Sequence, residues 1–478
     1  MQDVIIIGCG VVGAACAYEL ARYQLRVSIL EAGSDAAAGT TKANSAILHA
    51  GYDPEPGTLM ARLNVEGVRL AEEICNKLDV LYRKCGSMVL AFDEEDRACL
   101  RTLLERGEQN GVPGLRLLSG DEARALEPEI SGEAVEVLLA PGAAIVDPWD
   151  YALAMAETAV RNGVSFHRSC RVTAIERAAE GFSIATTGGV FRSRYIINAA
   201  GVHAGEVHAL VGGRNFSIRP SKGEYYLLDK SEGNRVGRII FQCPSAAGKG
   251  VLVSPTVHGN LLAGPTAEPS APDDTANTAS GLETVRRLSA RSVPGVRFRE
   301  NIRNFAGVRA NSDRGDFILE ESPAVPGFFN AAGICSPGLS AAPAMARYLA
   351  ERMGERGLTL RKRESFIDSR RKTRFRHLDD EARNELIAKD PRYGRVICRC
   401  ETVTEGEILE CLRQPIPPVS INGVKRRVGA GMGRCQGGFC GPRVQEILAR
   451  ELGLRPDQIP LEEPGSWILT GETKEVWS

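Results

Sequence analysis

Four cysteines near the C-terminus, Cys398-Arg-Cys400 and Cys435-Gln-Gly-Gly-Phe-Cys440, have the residue type and spacing that point most directly to chemistry. Thiolates are soft ligands, suited to an iron–sulfur cluster or to zinc. Gly431, Gly433, Gly437, Gly438 and Gly441 stand beside them and let backbone come close to the sulfurs. Structural zinc favours cysteine pairs two to four residues apart, and Cys-x-Cys is tighter than the common ribbon and knuckle spacings. A cluster is therefore preferred to zinc, and either to a set of unliganded core thiols. Cys411, on an expected helix from Glu405 to Leu412, suits packing better than a fifth ligand position.

The N-terminus carries a second chemical signal. Asp3-Val-Ile-Ile-Ile-Gly8 is a β-branched run ending at glycine, followed by Gly8-Cys-Gly10-Val-Val12-Gly13 and a helical stretch, Ala14 to Tyr23. Gly8 permits the turn, Gly10 lets amides reach a pyrophosphate, Gly13 allows close helix packing, and the helix N-terminus supplies positive potential. The next strand, Arg26 to Leu30, ends at Glu31, eighteen residues beyond Gly13, where a carboxylate can accept hydrogen bonds from ribose hydroxyls. Further on, Tyr195-Ile-Ile-Asn-Ala-Ala200-Gly201 reads as a strand of the same sheet ending in small residues that admit a cofactor. A strand over Arg171–Glu176 is expected beside it.

Positioning these sites takes more than one core. At 478 residues two to four domains are expected. A net charge of -1 gives no case for a nucleic-acid partner. The thirteen cysteines are odd in number and scattered through apolar contexts, which argues for a reducing, cytoplasmic setting and against a disulfide framework. Only Met1 and Gln2 precede the first strand, which leaves no room for a signal peptide. The apolar stretch from Val4 to Tyr18 is broken by glycines and is shorter than the roughly twenty residues of a bilayer span. Membrane association is expected only through a partner. No repeat or low-complexity tract stands out.

The segment from Cys398 to Cys440 resembles the bacterioferritin-associated-ferredoxin-like domain, in the form found at the C-terminus of anaerobic glycerol-3-phosphate dehydrogenase large subunits. That resemblance implies a 2Fe-2S cluster held by Cys398, Cys400, Cys435 and Cys440. The remainder, including Gly327-Phe-Phe-Asn-Ala-Ala-Gly333-Ile-Cys-Ser336-Pro-Gly338-Leu339-Ser340 before a helix over Ala341–Met353, resembles the D-amino-acid-oxidase-like FAD family. FAD is thereby preferred to NAD. The resemblance places Val172 at the adenine side, and Gly333, Gly338 and Leu339, with Ser340 following, near the ribityl chain and the pyrimidine edge. It also implies that Thr40, Thr41, Asn44 and Ser45 follow the pyrophosphate and run beneath the flavin.

The expected architecture is α/β, a Rossmann-like FAD-binding domain with an inserted α+β substrate domain built on an antiparallel sheet, and a small, mainly helical iron–sulfur domain. The FAD-binding domain takes residues 1–75, 145–215 and 305–353; the substrate domain takes 76–144 and 216–304. A basic linker with eight Arg or Lys between Arg361 and Arg376 occupies 354–390, open to solvent or to an acidic partner subunit. The cluster domain and tail take 391–478.

His49, in Asn44-Ser-Ala-Ile-Leu-His49-Ala-Gly51, is the candidate base that takes a hydroxyl proton while hydride goes to flavin N5. The alternative is a histidine that only bonds flavin or backbone. An anionic substrate needs fixed cations, and Lys222 and Arg309 match the family's positions. The rival role for each is an ion pair at a domain boundary. Arg303, Lys249 and His258 are further candidates for an anion pocket.

Pro220-Ser-Lys-Gly223 is similar to glycerol-3-phosphate dehydrogenases, whereas Gly223-Glu-Tyr-Tyr226 and Ser336-Pro-Gly-Leu339 are similar to L-2-hydroxyglutarate dehydrogenases. The expected activity is FAD-dependent oxidation of sn-glycerol 3-phosphate to dihydroxyacetone phosphate, with electrons passing through the cluster to a partner redox subunit or acceptor. L-2-hydroxyglutarate or another 2-hydroxy acid is the alternative substrate. An electron-relay subunit of a heteromeric amine or opine dehydrogenase is the alternative role; an amino-acid or amine oxidase would leave the cluster unexplained.

Overall fold

The β-branched run at the N-terminus is buried on both faces, as a central parallel strand requires. In a computed structural model that describes residues 1–244 and 250–471, Gln2–Ile7 pairs in parallel with Val27–Leu30 on one side and Gly189–Asn198 on the other. Ser165–His167 extends the sheet beyond Val27–Leu30, and Phe328–Ala332 lies parallel to the far side of Gly189–Asn198. Val172–Arg177 and Phe182–Thr186 form an antiparallel hairpin in the same eight-stranded sheet. Helix Val11–Leu20 is apolar around nearly its whole circumference because it is enclosed by this sheet and by helices Pro148–Arg161 and Gly338–Glu355.

The second sheet has nine strands. Ser87–Ala91, Arg116–Ser119 and Glu136–Ala140 come from the first insertion; Ile218–Leu228, Ile239–Gln242, Leu252–Pro255 and Leu261–Gly264 come from the second. Ile239–Gln242 runs parallel to Ser87–Ala91, so the sheet is antiparallel except where the two insertions join. Asn301–Ser312 pairs along the whole of Ile218–Leu228, so this strand crosses the expected 304/305 boundary and belongs to the roof from end to end. Side chains alternate along it. Tyr225 and Leu227 face inward, while Glu224 turns to helix Ala279–Ser292, where it accepts hydrogen bonds from the N–H and hydroxyl of the N-cap Thr278.

The basic stretch in 354–390 is folded onto the chain's own acids. Arg370 is buried with its guanidinium 2.6 Å from Asp150 and 3.4 Å from Glu157, and Lys372 and Arg374 also reach Asp150. Helix Asp380–Lys389 then leads into the last domain, in which Glu405–Cys411, Ile421–Val428 and Gly441–Leu452 pack around Ile408, Val424, Val444 and Leu448. Cys411 is buried in this core, and burial pushes its thiol up to about 12. Helix Ile421–Val428 docks against the FAD-binding domain: the buried Asp35 carboxylate, on the loop after the second strand, takes a two-pronged bond from Arg427 at 2.7 and 2.8 Å and a third from Arg426 at 3.0 Å. No helix of the described residues is long and apolar enough to cross a membrane.

Candidate functional site

The strand ends of the first sheet and the inner face of the second enclose one cavity of about 1020 Å³. Its floor begins at the glycine turn. Gly8 has φ +97°, and a Cβ there would lie 2.5 Å from the carbonyl oxygen of Ala199, so no other residue permits the strands to approach so closely. Gly13 has no surface in the cavity; its missing Cβ would fall 2.0 Å from the Gly8 oxygen, which makes it the contact between turn and helix. Gly10 and Val12 line the cavity at the N-terminus of Val11–Leu20. The Val11 N–H donates to Thr41 Oγ1 at 3.0 Å, which fastens the 40–44 segment over that helix end.

Glu31 closes one end. Its carboxylate accepts from the amides of Cys9 and Gly33 at 2.7 and 2.8 Å, and burial pushes its pKa up from the usual carboxylate range. Val172, Ala200 and Gly201 line the cavity beside it. Along the middle come Thr40, Thr41, Asn44 and Ser45. Asn44 also shapes the loop: its amide donates to the carbonyls of Thr40 and Thr41, and its Oδ1 accepts from Ala46 N–H. Gly338 and Leu339 open a second helix, Gly338–Glu355, whose N-terminus also points to the cavity. Gly333 and Ser340 are not on the wall. Gly333, at φ +66°, turns the chain against Ser312, and the buried Ser340 hydroxyl accepts the His49 N–H at 2.7 Å.

His49 lines the far end, fixed at three points. Besides the bond to Ser340, its carbonyl accepts from Asn64 Nδ2 at 2.9 Å, and ring Nε2 lies 3.1 Å from Ser336 Oγ. Arg309 stands on the same cavity. Its Nη2 donates to the Thr266 carbonyl at 3.1 Å, while the buried Nη1 has no hydrogen-bond partner among the described residues. A Cβ at Gly223 would sit 2.6 Å from that guanidinium and 2.7 Å from Pro265 Cβ, so the glycine leaves the arginine its place. An arginine held in place with one fork arm unsatisfied suits an incoming anion.

The structure does not bring Lys222 to this cavity. It shares the outward face of its strand with Glu224, and its ammonium is 2.8 Å from Asp274, which raises its pKa. This is the ion-pair alternative to the expected catalytic place. Of the other candidates, His258 lines the cavity with Nε2 3.1 Å from Asp147 Oδ2, and Arg303 lines it while donating to Gln436 Oε1 at 3.1 Å. Lys249 lies outside the described residues. Sequence reasoning missed the stacked pair Tyr225 and Phe305, 4.7 Å between centroids, and the wall contributed by the last domain. Strand alternation around Tyr225 is the signal that finds the first; nothing local marks the second.

The four cysteines come as two pairs. Cys400 and Cys435 sulfurs are 3.6 Å apart, near the surface; Cys398 and Cys440 are buried close enough to perturb each other's thiols. The nearby Cys440, with the amides of Gly431 and Glu401, lowers the Cys398 thiol against the effect of burial, while the Cys440 thiol is pushed up. Two thiolates on one tetrahedral metal, each about 2.3 Å from it, lie roughly 3.8 Å apart. Among the described residues no group of three or more His, Cys, Asp or Glu is set to hold a single ion. Two close pairs with amides directed at sulfur fit a binuclear cluster better than one zinc.

Comparison with known proteins agrees with both sites. Residues 3–352 match the FAD dependent oxidoreductases, and residues 396–450 match the BFD-like [2Fe-2S] binding domain. The chain is 46% identical to a glycerol 3-phosphate dehydrogenase of Caloramator mitchellensis over 476 residues, 99% of each protein. It is 31% identical to a glycerol 3-phosphate oxidase of Mycoplasma genitalium, covering 73% of this chain and 94% of that one. Among solved structures it is similar to the reduced, FAD-bound L-alpha-glycerophosphate oxidase of Mycoplasma pneumoniae, with a TM-score of 0.74 and 30% identity over 77% of this chain and 98% of that one. FAD and a 2Fe-2S cluster are the cofactors of these two domains.

Proposed function

The chain belongs to the FAD dependent oxidoreductase family, and from that premise we propose that it oxidises sn-glycerol 3-phosphate to dihydroxyacetone phosphate and delivers the electrons to a partner acceptor. The observation that carries this reading is the likeness to a glycerol 3-phosphate dehydrogenase along the entire chain, cluster domain included. A cavity with an anion-ready arginine and a fixed histidine is what such a substrate requires.

Arg309 binds the substrate's anionic group, its free fork arm gaining the partner that Nη1 lacks. That anchorage sets the C2 carbinol against His49. Ser336, Ser340 and Asn64 hold the imidazole and its backbone, so little reorganisation is needed when Nε2 takes the hydroxyl proton. The C2–H bond breaks with its electron pair leaving as hydride, the O–H proton goes to His49, and a ketone remains. When bound, FAD supplies the acceptor for that hydride and the cluster a one-electron outlet. The stacked Tyr225 and Phe305 rings cover the cavity from the roof and limit water there.

The test is an anaerobic titration of cluster-loaded protein with sn-glycerol 3-phosphate and, separately, L-2-hydroxyglutarate, following flavin absorbance near 450 nm and the cluster's EPR signal. Bleaching by glycerol 3-phosphate alone is expected. Bleaching by L-2-hydroxyglutarate alone moves the substrate to the 2-hydroxy acids. Bleaching by dithionite alone refutes both and favours a relay subunit.

A further inference from the structure

The last domain does more than carry four cysteines, because it closes one side of the FAD cavity. Lys425 and Arg426 of helix Ile421–Val428, Met432 beyond it and Glu462 all line that cavity, facing Lys42 and Arg303. The charges are unequal in their satisfaction. Arg426 is held by Asp35 at 3.0 Å and Glu462 at 2.5 Å, Lys42 is 3.9 Å from Glu462, and Arg303 bonds Gln436. Among the described residues no carboxylate lies within ion-pair distance of the Lys425 ammonium.

Lys425 thus faces three cations and one carboxylate already shared by two of them. Docking imposes this arrangement, since the bonds from Arg426 and Arg427 to the buried Asp35 hold the helix against the cavity. Burial, then repulsion from Arg303, brings the lysine down to about 8, as befits an ammonium without its counter-ion. Lys42 directly follows Thr41, the residue bonded to the first N–H of helix Val11–Leu20, so the group of cations on this cavity wall includes a neighbour of the segment that crosses the anion-binding end of that helix.

We propose that Lys425 binds a phosphoryl oxygen inside this cavity, so that the cluster domain supplies part of the binding site of the flavin domain. Two sources share that chemistry, the FAD pyrophosphate and the phosphate of glycerol 3-phosphate. The neighbourhood of Thr41 and Lys42 favours FAD. The FAD alternative rests on cofactor binding alone and stands whether or not the substrate reading above holds.

The experiment uses the full chain, loaded with cluster, as wild type and as Lys425→Gln, Lys425→Met and Lys425→Arg. Protein stripped of FAD is titrated with FAD by quenching of flavin fluorescence at several salt concentrations. FAD-saturated protein is titrated with glycerol 3-phosphate and with inorganic phosphate. Loss of FAD affinity by tenfold or more in the Gln and Met variants, with a shallower salt dependence and recovery to within threefold by Arg, is expected. The same pattern confined to glycerol 3-phosphate and phosphate would establish the substrate as the source. If all affinities stay within twofold, or if Met retains binding that Arg loses, the lysine is only packing and the proposal is overturned. Unchanged EPR and circular dichroism in the Gln variant exclude misfolding as the cause.

Discussion

Removing the Asp35 carboxylate should loosen the cluster domain from the flavin domain. Asp35→Asn leaves Arg426 and Arg427 buried opposite a neutral group; breaking a buried pair from one side costs about 3–5 kcal/mol. The lower end applies here. Arg427 keeps the Gly423 and Ile416 carbonyls at 3.0 and 2.7 Å and Glu157 at 3.9 Å, and Arg426 keeps Glu462. The acidity of Asp35 gives the same size by another route. Burial raises it, but Arg427 and then Arg426 more than offset that, taking it from 3.8 to about 2, which corresponds to about 2.5 kcal/mol in favour of the charged form. At about 1.4 kcal/mol per power of ten, opening of helix Ile421–Val428 should become roughly 100-fold more frequent. Native-state hydrogen exchange reads this directly, as faster exchange in that helix with little change in the central strand Gln2–Ile7. Because the folded-state pKa is depressed, the wild-type advantage is complete above pH about 4 and vanishes as pH falls through about 2. Exchange within about threefold of wild type at neutral pH would mean that Asp35 does not hold the two domains together.

Arg309→Met should lower kcat/KM for glycerol 3-phosphate by roughly 10²–10³, mainly through KM, with partial recovery in Arg309→Lys, as checked by steady-state kinetics. His49→Asn should cut the rate of flavin bleaching by roughly 10²–10⁴ while FAD stays bound, which stopped-flow absorbance separates. Lys222→Met should leave kcat/KM within about threefold, because the lysine is committed to Asp274 outside the cavity; a tenfold fall would return it to the site. FAD affinity should weaken as pH rises through about 8, where Lys425 loses its proton among Lys42, Arg303, Arg426 and Glu462. A flat profile from pH 7 to 9 in fluorescence titrations counts against that lysine.

Local signals carry the glycine floor of the cavity and the two cysteine pairs, since each is a short run with its own turn chemistry. The glycine turn, Glu31 and the helix beginning at Gly338 are where spacing puts them, because strand, turn and helix N-terminus are fixed by a few adjacent residues. Lys222 and Arg309 show the limit of such reasoning. Both are cations on strands of the roof, and only the register Ser221↔Arg309, Tyr225↔Phe305 decides that Arg309 shares a face with Tyr225 while Lys222 does not. That register is a long-range property, set by pairing between segments some ninety residues apart. The basic stretch before residue 390 is similar: its charge pattern is equally that of a solvated linker, and the buried Asp150 and Glu157 explain why Arg370 is where it is.

The wall formed by the last domain lies further still from any local signal. Lys425 belongs to a helix whose own sequence says only that one face is apolar and the other basic. What turns that basic face inward is Asp35, nearly four hundred residues earlier, a buried acid held charged chiefly by Arg427 and Arg426. The arginines bound to this acid dock the helix, and docking places the neighbouring lysine against the cavity, where the proposed phosphoryl group would meet it. The domain that carries the four cysteines thereby also forms part of the cavity wall. Loss of Asp35 should consequently weaken FAD binding as well as domain docking, although Asp35 itself does not line the cavity.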